Sequence, residues 1–269
     1  MCYDILIVGG GPAGLSAAIN GRVRGKTVLL LSSPMEDSPL WKAERVENYL
    51  GLPGVTGAEL LTAFRRHAEA SGAELRELRA LSAMPVGDRW YLSGEDQVFE
   101  GRALILAAGA VRGKPLPGEE RLLGRGVSYC ATCDGMLYRG RNAVVLGWTG
   151  SAEREADFLR NIGCAVRYYD RPQGVEILGE EAVTGVRVNG REEAADAVFL
   201  LRPAVAPAAL LPGLAMENGS VTVDRQMATN LPGVFAAGDC TGAPYQVAKA
   251  VGEGLIAGQS AAKWADRQG

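Results

Sequence analysis

A chain of 269 residues with 47% hydrophobic and 22% charged residues has the length and composition of a two-domain globular α/β protein, not of a disordered or fibrous one. Its net charge of -3, with acidic and basic residues well mixed, argues against a nucleic-acid partner. No stretch approaches the roughly 18 apolar residues of a membrane span, and no basic segment followed by a cleavable apolar one opens the chain, so we expect a cytoplasmic protein.

The first predicted element is a buried strand at residues 3–8 that leads into a glycine-rich turn. Gly9, Gly11 and Gly14 have the spacing G-x-G-x-x-G, and a helix follows at once. Such glycines permit a tight turn, close approach of a pyrophosphate to the backbone, and close packing of the helix on the strand. With a second buried strand at 27–31 the segment predicts a dinucleotide site, although turns of this kind also occur without one.

Ser32 and Ser33 stand at the end of the second predicted strand. An acidic residue often binds the ribose of a dinucleotide at this position. The two hydroxyl groups are able to do the same, less strongly than a carboxylate would.

The next elements complete a first domain. Thr56 and Glu59 have the capping-box pattern, and apolar residues continue at helical spacing until Gly72. Residues 102–109 predict another buried strand, and residues 113–118 have the composition of a linker. We place the first domain boundary in this linker.

A second strand-glycine-helix pattern begins at 142–147, which indicates a duplicated nucleotide-binding half. A turn, a strand and an acidic tip at 229–239 then precede a closing helix rich in glycine and alanine. We therefore predict an α/β fold of two Rossmann-like, three-layer domains, the second shortened and inserted in the first. Residues 1–113 and 232–269 form the discontinuous first domain, and residues 114–231 form the central one.

Cys130 and Cys133 are the only pair of short spacing among the five cysteines. A C-x-x-C pair at a helix start permits a disulfide within one turn, and the helix dipole lowers the thiol pKa. The rival interpretation is half of a zinc site, which normally needs four Cys or His ligands. The other cysteines are isolated, and His67 is the only histidine. The pattern favours a redox pair over a metal site or inert thiols, and we expect no metal.

Gly238 and Asp239 lie at the tip of the last predicted strand. If this tip faces the first glycine-rich turn, the carboxylate is placed to accept hydrogen bonds from a polyol hydroxyl. A plain turn explains the pair equally well, and the residues alone do not decide.

Three segments resemble the low-molecular-weight thioredoxin reductase family in order and spacing, so that the resemblance covers nearly the whole chain. They are residues 46–51 (VENYLG), 124–135 (GRGVSYCATCDG) and 232–239 (PGVFAAGD). The resemblance implies a homodimer that binds FAD, with Asn48 near the isoalloxazine and Asp239 on the ribitol. The cofactor-binding residues it implies are Gly9, Gly11, Pro12, Ala13, Gly14, Ser32, Ser33, Lys42, Asn48, Ala108, Gly109, Gly238, Asp239, Gln246 and Val247.

The resemblance also implies the catalytic residues. Cys130 and Cys133 would be the redox pair, and the dithiol would reduce a thioredoxin-like protein. Asp134 would be the proton donor, because formation of a dithiol consumes protons. An acidic residue at a helix start also has a purely structural explanation, and both roles are compatible.

The second glycine-rich turn departs from the family. Trp148 and Thr149 stand where ordinary members have small glycines that admit the pyrophosphate of NADPH. After the next strand, Tyr168, Tyr169 and Asp170 replace a histidine-arginine-arginine segment, and a carboxylate repels a 2′-phosphate. We therefore expect that NADPH is not bound. The pattern resembles branches that do not use pyridine nucleotides, including ferredoxin-dependent flavin thioredoxin reductases.

A ferredoxin donor is thermodynamically feasible. A plant-type cluster near about -400 mV and thioredoxin near about -270 mV differ by roughly 6 kcal/mol for two electrons. Basic residues around the redox pair suit an acidic ferredoxin, although such residues are also common on solvated loops. They are Arg112, Lys114, Arg121, Arg125, Arg139 and Arg141.

Three alternatives stay open. The first is an NADPH-dependent thioredoxin reductase with a degenerate nucleotide site. The second is a flavin-dependent dithiol oxidase that passes electrons from a thiol to oxygen. The third is a flavin-binding redox sensor without enzymatic activity, which the intact C-x-x-C pair disfavours.

Overall fold

The computed structural model describes residues 2–94, 97–109, 115–129, 131–148, 152–202 and 206–268. The chain divides into two compact units, one made of Met1–Val111 with Ala204–Gly269 and the other of Arg112–Pro203. No helix in these described ranges combines the length and the apolar character needed to cross a membrane.

The elements are numbered in chain order. The strands are β1 (Cys2–Val8), β2 (Val28–Ser32), β3 (Glu74–Glu77), β4 (Ala80–Val86), β5 (Arg89–Gly94), β6 (Gln97–Leu106), β7 (Val127–Ser128), β8 (Asn142–Gly147), β9 (Ala165–Asp170), β10 (Val175–Leu178), β11 (Gly185–Val188), β12 (Arg191–Ala194), β13 (Ala197–Leu201), β14 (Met216–Glu217), β15 (Ser220–Val221) and β16 (Val234–Ala236). The helices are α1 (Pro12–Val23), α2 (Gly57–Ala70), α3 (Glu119–Leu122), α4 (Ala131–Asp134), α5 (Ala152–Asn161), α6 (Pro207–Leu210) and α7 (Val247–Arg267). Short 3-10 helices occupy Met35–Asp37, Gly135–Tyr138 and Asp239–Thr241.

A mixed sheet forms the frame of the first unit. Its order is β3-β2-β1-β6-β5-β4, and β16 pairs with β6. The strands β1, β2, β3, β6 and β16 run parallel, whereas β4 and β5 add an antiparallel extension. Both faces of β1 are covered, since Ile5 and Ile7 lie in one apolar core and Leu6 and Val8 in another. Burial on both faces is why β1 and β2 are continuous apolar runs.

The composition of α7 follows from its close approach to α1. A β-carbon placed on Gly254 would lie 2.2 Å from the carbonyl oxygen of Ala13, and one placed on Gly258 would lie 2.6 Å from that of Ala17. Because no side chain fits there, the contact face of α7 consists of glycine and alanine. This packing places Gly254, two turns into α7, against the start of α1.

The second unit has its own parallel sheet, in the order β7-β13-β8-β9. An antiparallel sheet of β10, β11 and β12 contributes Val186 and Val188 to the core on one face, and α5 contributes Ala156 and Leu159 to the core on the other. The chain passes from β8 to β9 on one side and later to β13 on the other. The strand order therefore reverses between β8 and β13, and in sheets of this type ligands bind at the carboxyl ends of the strands at such a point.

The predicted fold class is confirmed. The predicted strands at 3–8, 27–31 and 142–147 coincide with β1, β2 and β8 within one or two residues. The capping box also forms, because the Thr56 hydroxyl accepts the Glu59 amide N–H at 3.1 Å and the Glu59 carboxylate accepts the Thr56 N–H at 2.8 Å.

The return to the first unit comes earlier along the chain than the sequence predicts. The predicted boundary assigns residues 206–231 to the central domain, whereas the structure groups them with the first unit. Leu210, Leu211, Leu214 and Val221 are buried in the same core as Leu6 of β1. Since α6 and the β14-β15 pair are short, the sequence carries no periodicity that indicates which sheet they join.

Candidate functional site

The glycine-rich turn lies at the carboxyl end of β1. Two of its glycines are required by the protein itself: a β-carbon on Gly9 would lie 2.2 Å from the Ala107 carbonyl oxygen, and one on Gly14 would lie 1.9 Å from that of Gly9. Gly11 differs, because apart from its neighbours along the chain no described atom lies within 4 Å of where its β-carbon would be. Packing therefore does not explain Gly11, whereas a ligand that approaches the bare backbone does.

The start of α1 is suited to an anion. Gly11 is the N-cap residue and Pro12 occupies the first turn, and among the described residues no side chain caps this end. The first turn also contains no acidic residue. Its amide N–H groups and the positive end of the helix dipole thus favour a phosphate group, so the turn fits the pyrophosphate of a dinucleotide.

Other predicted residues of the first unit lie around this turn. Ser32 is buried at the end of β2, and a β-carbon on Gly10 would lie 2.7 Å from its Cβ. Ser33 follows it and is half-buried. Ala108 and Gly109 directly follow Ala107, whose carbonyl oxygen meets the turn, and both are half-buried.

The acidic tip lies against the start of α1. A β-carbon on Gly238, whose φ is +86°, would lie 2.8 Å from the Cβ of Ala13. Asp239 comes next, is half-buried and begins the 3-10 helix Asp239–Thr241. The structure thus brings the predicted ribitol residue to the same edge of the sheet as the glycine-rich turn.

Glu253 of α7 binds this acidic tip, a contact that the sequence does not predict. One oxygen of its carboxylate accepts the amide N–H of Gly238 at 2.8 Å and lies 2.9 Å from the Thr241 hydroxyl. The same oxygen lies 3.2 Å from the ammonium of Lys249. The available signal was the spacing of Lys249 and Glu253, which places them on one face of a helix.

Asn48 and Gln246 meet although 198 residues separate them: the amide of Asn48 donates to the side-chain oxygen of Gln246 at 2.7 Å. Gln246 is the N-cap residue of α7, and Val247 is the first residue of the helix. Lys42 lies exposed in the same loop as Asn48. Within the described part of the chain, no hydrogen bond or ion pair joins Lys42 to this group.

The redox segment belongs to the second unit and is described only in part. Cys130 lies outside the described residues, as does the side chain of Cys133, whose backbone belongs to α4. The carboxylate of Asp134, at the end of α4, accepts a hydrogen bond of 2.7 Å from the Ser128 hydroxyl. This bond ties Asp134 to the end of β7.

Trp148 and Arg202 stack across the carboxyl ends of β8 and β13. Each residue directly follows its strand, and the guanidinium carbon of Arg202 lies 5.3 Å from the centre of the Trp148 ring. The distance is that of a cation-π contact. The Trp148 amide N–H also donates to the Leu201 carbonyl at 2.8 Å. The chain's own side chains thus fill the place where the strand order reverses.

Glu119 holds Arg202 in this position. It is only 3% exposed, and its two oxygens accept from both terminal nitrogens of Arg202 at 2.8 and 2.9 Å. The Tyr129 hydroxyl and the Leu116 amide N–H donate to the same carboxylate at 2.9 and 2.7 Å. Burial and this carboxylate raise the pKa of Tyr129. A buried charge that is paired and hydrogen-bonded in this way is stable, and its guanidinium partner is not available to a phosphate.

The turn after β8 is also crowded. A β-carbon on Gly147 would lie 2.7 Å from the ring of Tyr168 and 2.5 Å from the Cβ of Ala152, so packing alone explains this glycine. Thr149, Gly150 and Ser151 lie outside the described residues. At the end of β9, Asp170 is exposed, and the cation of Arg167, within the same strand, is paired with Glu193.

The predicted basic cluster is only partly described. Arg112 and Lys114 lie outside the described residues. Arg121, Arg125, Arg139 and Arg141 are exposed, and the guanidinium of Arg121 donates to the backbone carbonyls of residues 179 and 180. The guanidinium groups of Arg125, Arg139 and Arg141 are therefore the described part of the cluster that is best suited to an acidic partner.

Comparison with known proteins finds a family profile, relatives and solved structures that match this chain over nearly its whole length. The profile of the family described as pyridine nucleotide-disulphide oxidoreductase matches residues 3–187 and 153–254. A thioredoxin reductase of Listeria innocua is 31% identical, over 98% of this chain and 94% of that protein. The crystal structure of a ferredoxin-flavin thioredoxin reductase of Clostridium acetobutylicum is 39% identical, covers 97% of both chains and has a TM-score of 0.92. That of an atypical thioredoxin reductase of Desulfovibrio vulgaris Hildenborough is 31% identical, covers 98% of both chains and has a TM-score of 0.74.

Proposed function

Because the chain belongs to the pyridine nucleotide-disulphide oxidoreductase family and is a flavin disulfide oxidoreductase of the thioredoxin reductase type, we propose that it reduces a thioredoxin-like protein with electrons from ferredoxin and not from NADPH. The observation that carries the choice of donor is the stacking of Arg202 on Trp148 where a dinucleotide would bind. A homodimer is part of the proposal, and light scattering of the purified protein tests it.

FAD fits the first unit. The open space beside Gly11 and the uncapped start of α1 suit its pyrophosphate, and the carboxylate of Asp239 suits its ribitol hydroxyls. FAD supplies a carrier that takes electrons singly and delivers them in pairs. The residues proposed to hold it are Gly9, Gly11, Pro12, Ala13, Gly14, Ser32, Ser33, Lys42, Asn48, Ala108, Gly109, Gly238, Asp239, Gln246 and Val247.

Cys130 and Cys133 are proposed to carry out the thiol chemistry. One thiolate of the reduced pair attacks a sulfur of the partner disulfide and forms a mixed disulfide, which the second thiol resolves. The pair ends oxidised and the partner ends as a dithiol. Each cycle of the pair from disulfide to dithiol takes up two electrons and two protons, and we assign proton delivery to Asp134, which Ser128 holds at the end of α4.

Two apolar side chains next to the redox pair support a protein as its substrate. Met136 is 56% exposed and Leu137 is 72% exposed, and both lie in the 3-10 helix that directly follows α4. Large apolar side chains on a surface beside a reactive pair favour transient docking of another protein. The names of the similar proteins, which are thioredoxin reductases, support a thioredoxin-like partner.

The second unit supports a donor other than NADPH in two ways. Arg202 is bound to Glu119 and is not available for a phosphate, and the exposed carboxylate of Asp170 repels one. A ferredoxin needs no such crevice, and its transfer of two electrons to thioredoxin is downhill by roughly 6 kcal/mol.

Anaerobic visible spectroscopy of the FAD-loaded protein tests the donor. We expect reduced ferredoxin to bleach the flavin and NADPH or NADH to leave it oxidised. Subsequent addition of an oxidised thioredoxin should restore the colour. Rapid bleaching by NADPH would overturn the proposed donor.

A cysteine variant tests the thiol chemistry separately. We expect Cys133→Ser to bind FAD as the wild type does but to lose reduction of thioredoxin, since a mixed disulfide with the partner can no longer be both formed and resolved. Cys2→Ser, which changes an exposed cysteine of the first unit, is the matched control. Turnover retained by Cys133→Ser contradicts the assignment.

A further inference from the structure

The ammonium group of Lys249 lies inside the turn that carries Asp239. It donates to the carbonyl oxygens of Gly238 and Gly242 at 2.9 and 2.6 Å and to the Thr241 hydroxyl at 2.9 Å. The side chain is only 16% exposed. Both ends of the turn are thus bound to one cation.

Glu253 binds the same turn, and together Lys249 and Glu253 form a cage around residues 238–242. Its carboxylate binds the N–H of Gly238, the hydroxyl of Thr241 and the ammonium of Lys249. The turn therefore has its carbonyl groups bound by a cation and its amide group by an anion. Hydrogen bonds to charged partners are stronger than those between neutral groups, so the conformation of the turn depends on this pair.

The stability of α7 does not explain the pair. Lys249 is the third residue of the helix, where the positive end of the helix dipole disfavours a cation. A lysine that precedes a glutamate by four residues is also the less favourable order for an ion pair within a helix. The favourable interactions of Lys249 and Glu253 are therefore those with the turn and not those within the helix.

Asp239 is the residue whose place the cage determines. It lies between Gly238, whose carbonyl and amide groups are both bound, and Thr241, whose hydroxyl is bound. Gly238 also packs directly on Ala13 in the first turn of α1. The backbone of Asp239 is accordingly held between α1 and α7.

We propose that Lys249 and Glu253 are positioning residues for the FAD site, which hold the turn so that the carboxylate of Asp239 is presented to the ribitol. This inference rests on the proposed binding of FAD at this turn. The two residues act through Asp239 and take no direct part in electron transfer.

A double-mutant cycle tests the proposal. FAD is removed from the full-length protein, and its rebinding is followed by the change in flavin fluorescence for Lys249→Met, Asp239→Asn and the double variant. Loss of a charged hydrogen-bonding group predicts about tenfold weaker binding for each single variant. Because Lys249 acts through Asp239, the double variant should bind no more weakly than the weaker single variant. Lys263→Met, an exposed lysine on the same helix, should bind FAD as the wild type does.

The outcomes separate this inference from the function on which it rests. Losses that multiply to about a hundredfold in the double variant would show that Lys249 acts independently of Asp239 and would overturn the positioning role. Unchanged affinity in Lys249→Met, with Asp239→Asn weakened, would overturn it too and leave the FAD site intact. A wild-type protein that takes up no FAD would overturn the proposed function itself.

Glu253→Gln provides a second variant should Lys249→Met fail to fold. It keeps the size and an acceptor oxygen but removes the charge that balances Lys249. We expect weaker binding of FAD here as well, with no further loss when Asp239→Asn is added. Wild-type affinity in Glu253→Gln would contradict the role of the pair.

Discussion

The two glycine-rich turns of the chain begin alike and then differ. Gly9 and Gly147 are both required by close packing with their own unit. Two residues later, the first turn has Gly11 with open space around it, whereas Gly147 is followed at once by Trp148, on which Arg202 stacks. The first glycine of such a turn is therefore explained by close packing within the protein and does not by itself indicate a ligand. The open space beside Gly11, at the uncapped start of α1, is instead what a ligand approaching the bare backbone needs.

The largest expected effect comes from removing the guanidinium of Arg202, which stacks on Trp148 directly after β8. Arg202→Met leaves Glu119 buried without its cation, which should lower the free energy of unfolding by about 3–5 kcal/mol. Urea denaturation measures this, and Arg154→Met, an exposed arginine of the same unit, should change it little. We expect no gain of NADPH binding, because Asp170 stays in place. Wild-type stability in Arg202→Met would contradict the role of Arg202 as the partner of buried Glu119. Tight binding of NADPH by this variant would contradict the expectation that Asp170 repels its phosphate.

The second-largest effect is expected from adding a side chain at Gly11, in the turn after β1. Gly11→Leu puts a side chain into the space beside the start of α1, which should weaken FAD binding by about a hundredfold or more, or roughly 3 kcal/mol. Fluorescence titration of the FAD-free protein checks this. The thermal midpoint of that FAD-free protein should change little, since nothing described lies within 4 Å.

Two other glycines sharpen this result. Gly252→Leu also adds a side chain in open space, on α7, and should retain FAD binding. Gly9→Ala should destabilise the protein even without FAD, because its φ of +110° and the Ala107 carbonyl exclude a β-carbon. Undiminished FAD binding by Gly11→Leu would mean that the space beside Gly11 is not used by the cofactor.

The smallest effect concerns the hydrogen bond from Tyr129 to Glu119. Tyr129→Phe should lower the free energy of unfolding by about 1 kcal/mol near neutral pH. The folded pKa of Tyr129 lies above its ordinary value of 10.0, chiefly through burial and then through Glu119. The stability it contributes is therefore complete below pH 10 and is lost as the pH rises further.

Unfolding measured between pH of about 9 and 11 tests this sign. The wild type should lose stability more steeply than Tyr129→Phe above pH 10. Tyr245→Phe, which changes an exposed tyrosine, should follow the wild-type curve. Parallel curves for the wild type and Tyr129→Phe would show that Tyr129 ionises as freely in the folded protein as in the unfolded chain.

The parts of the molecule that the sequence predicts well depend on local pattern. The apolar run of β1, the glycine spacing after it and the capping box of Thr56 and Glu59 are each determined by neighbours along the chain. Only the family resemblance predicts a role for Asn48 and Gln246, because their hydrogen bond joins residues that no periodicity connects.

The parts that the sequence does not predict depend on distant partners. Glu119 directly follows the linker-like segment 113–118 and begins α3, and its main partner, Arg202, is 83 residues away. Lys249 and Glu253 have recognisable helical spacing, but the acceptors that explain them belong to the preceding turn. The early return of the chain has the same cause, since Leu210 and Leu214 join a core formed by strands far earlier in the sequence.

The close seam between α1 and α7 has a consequence for synthesis. The helix α1 precedes residues 112–203 in the chain and α7 follows them, whereas those residues form one contiguous unit. The middle unit thus emerges whole while the apolar face of α1 still lacks its cover. Until Gly254 and Gly258 are synthesised, the face of α1 that packs on α7 therefore stays exposed, and the first unit completes its core only after the middle unit has been made.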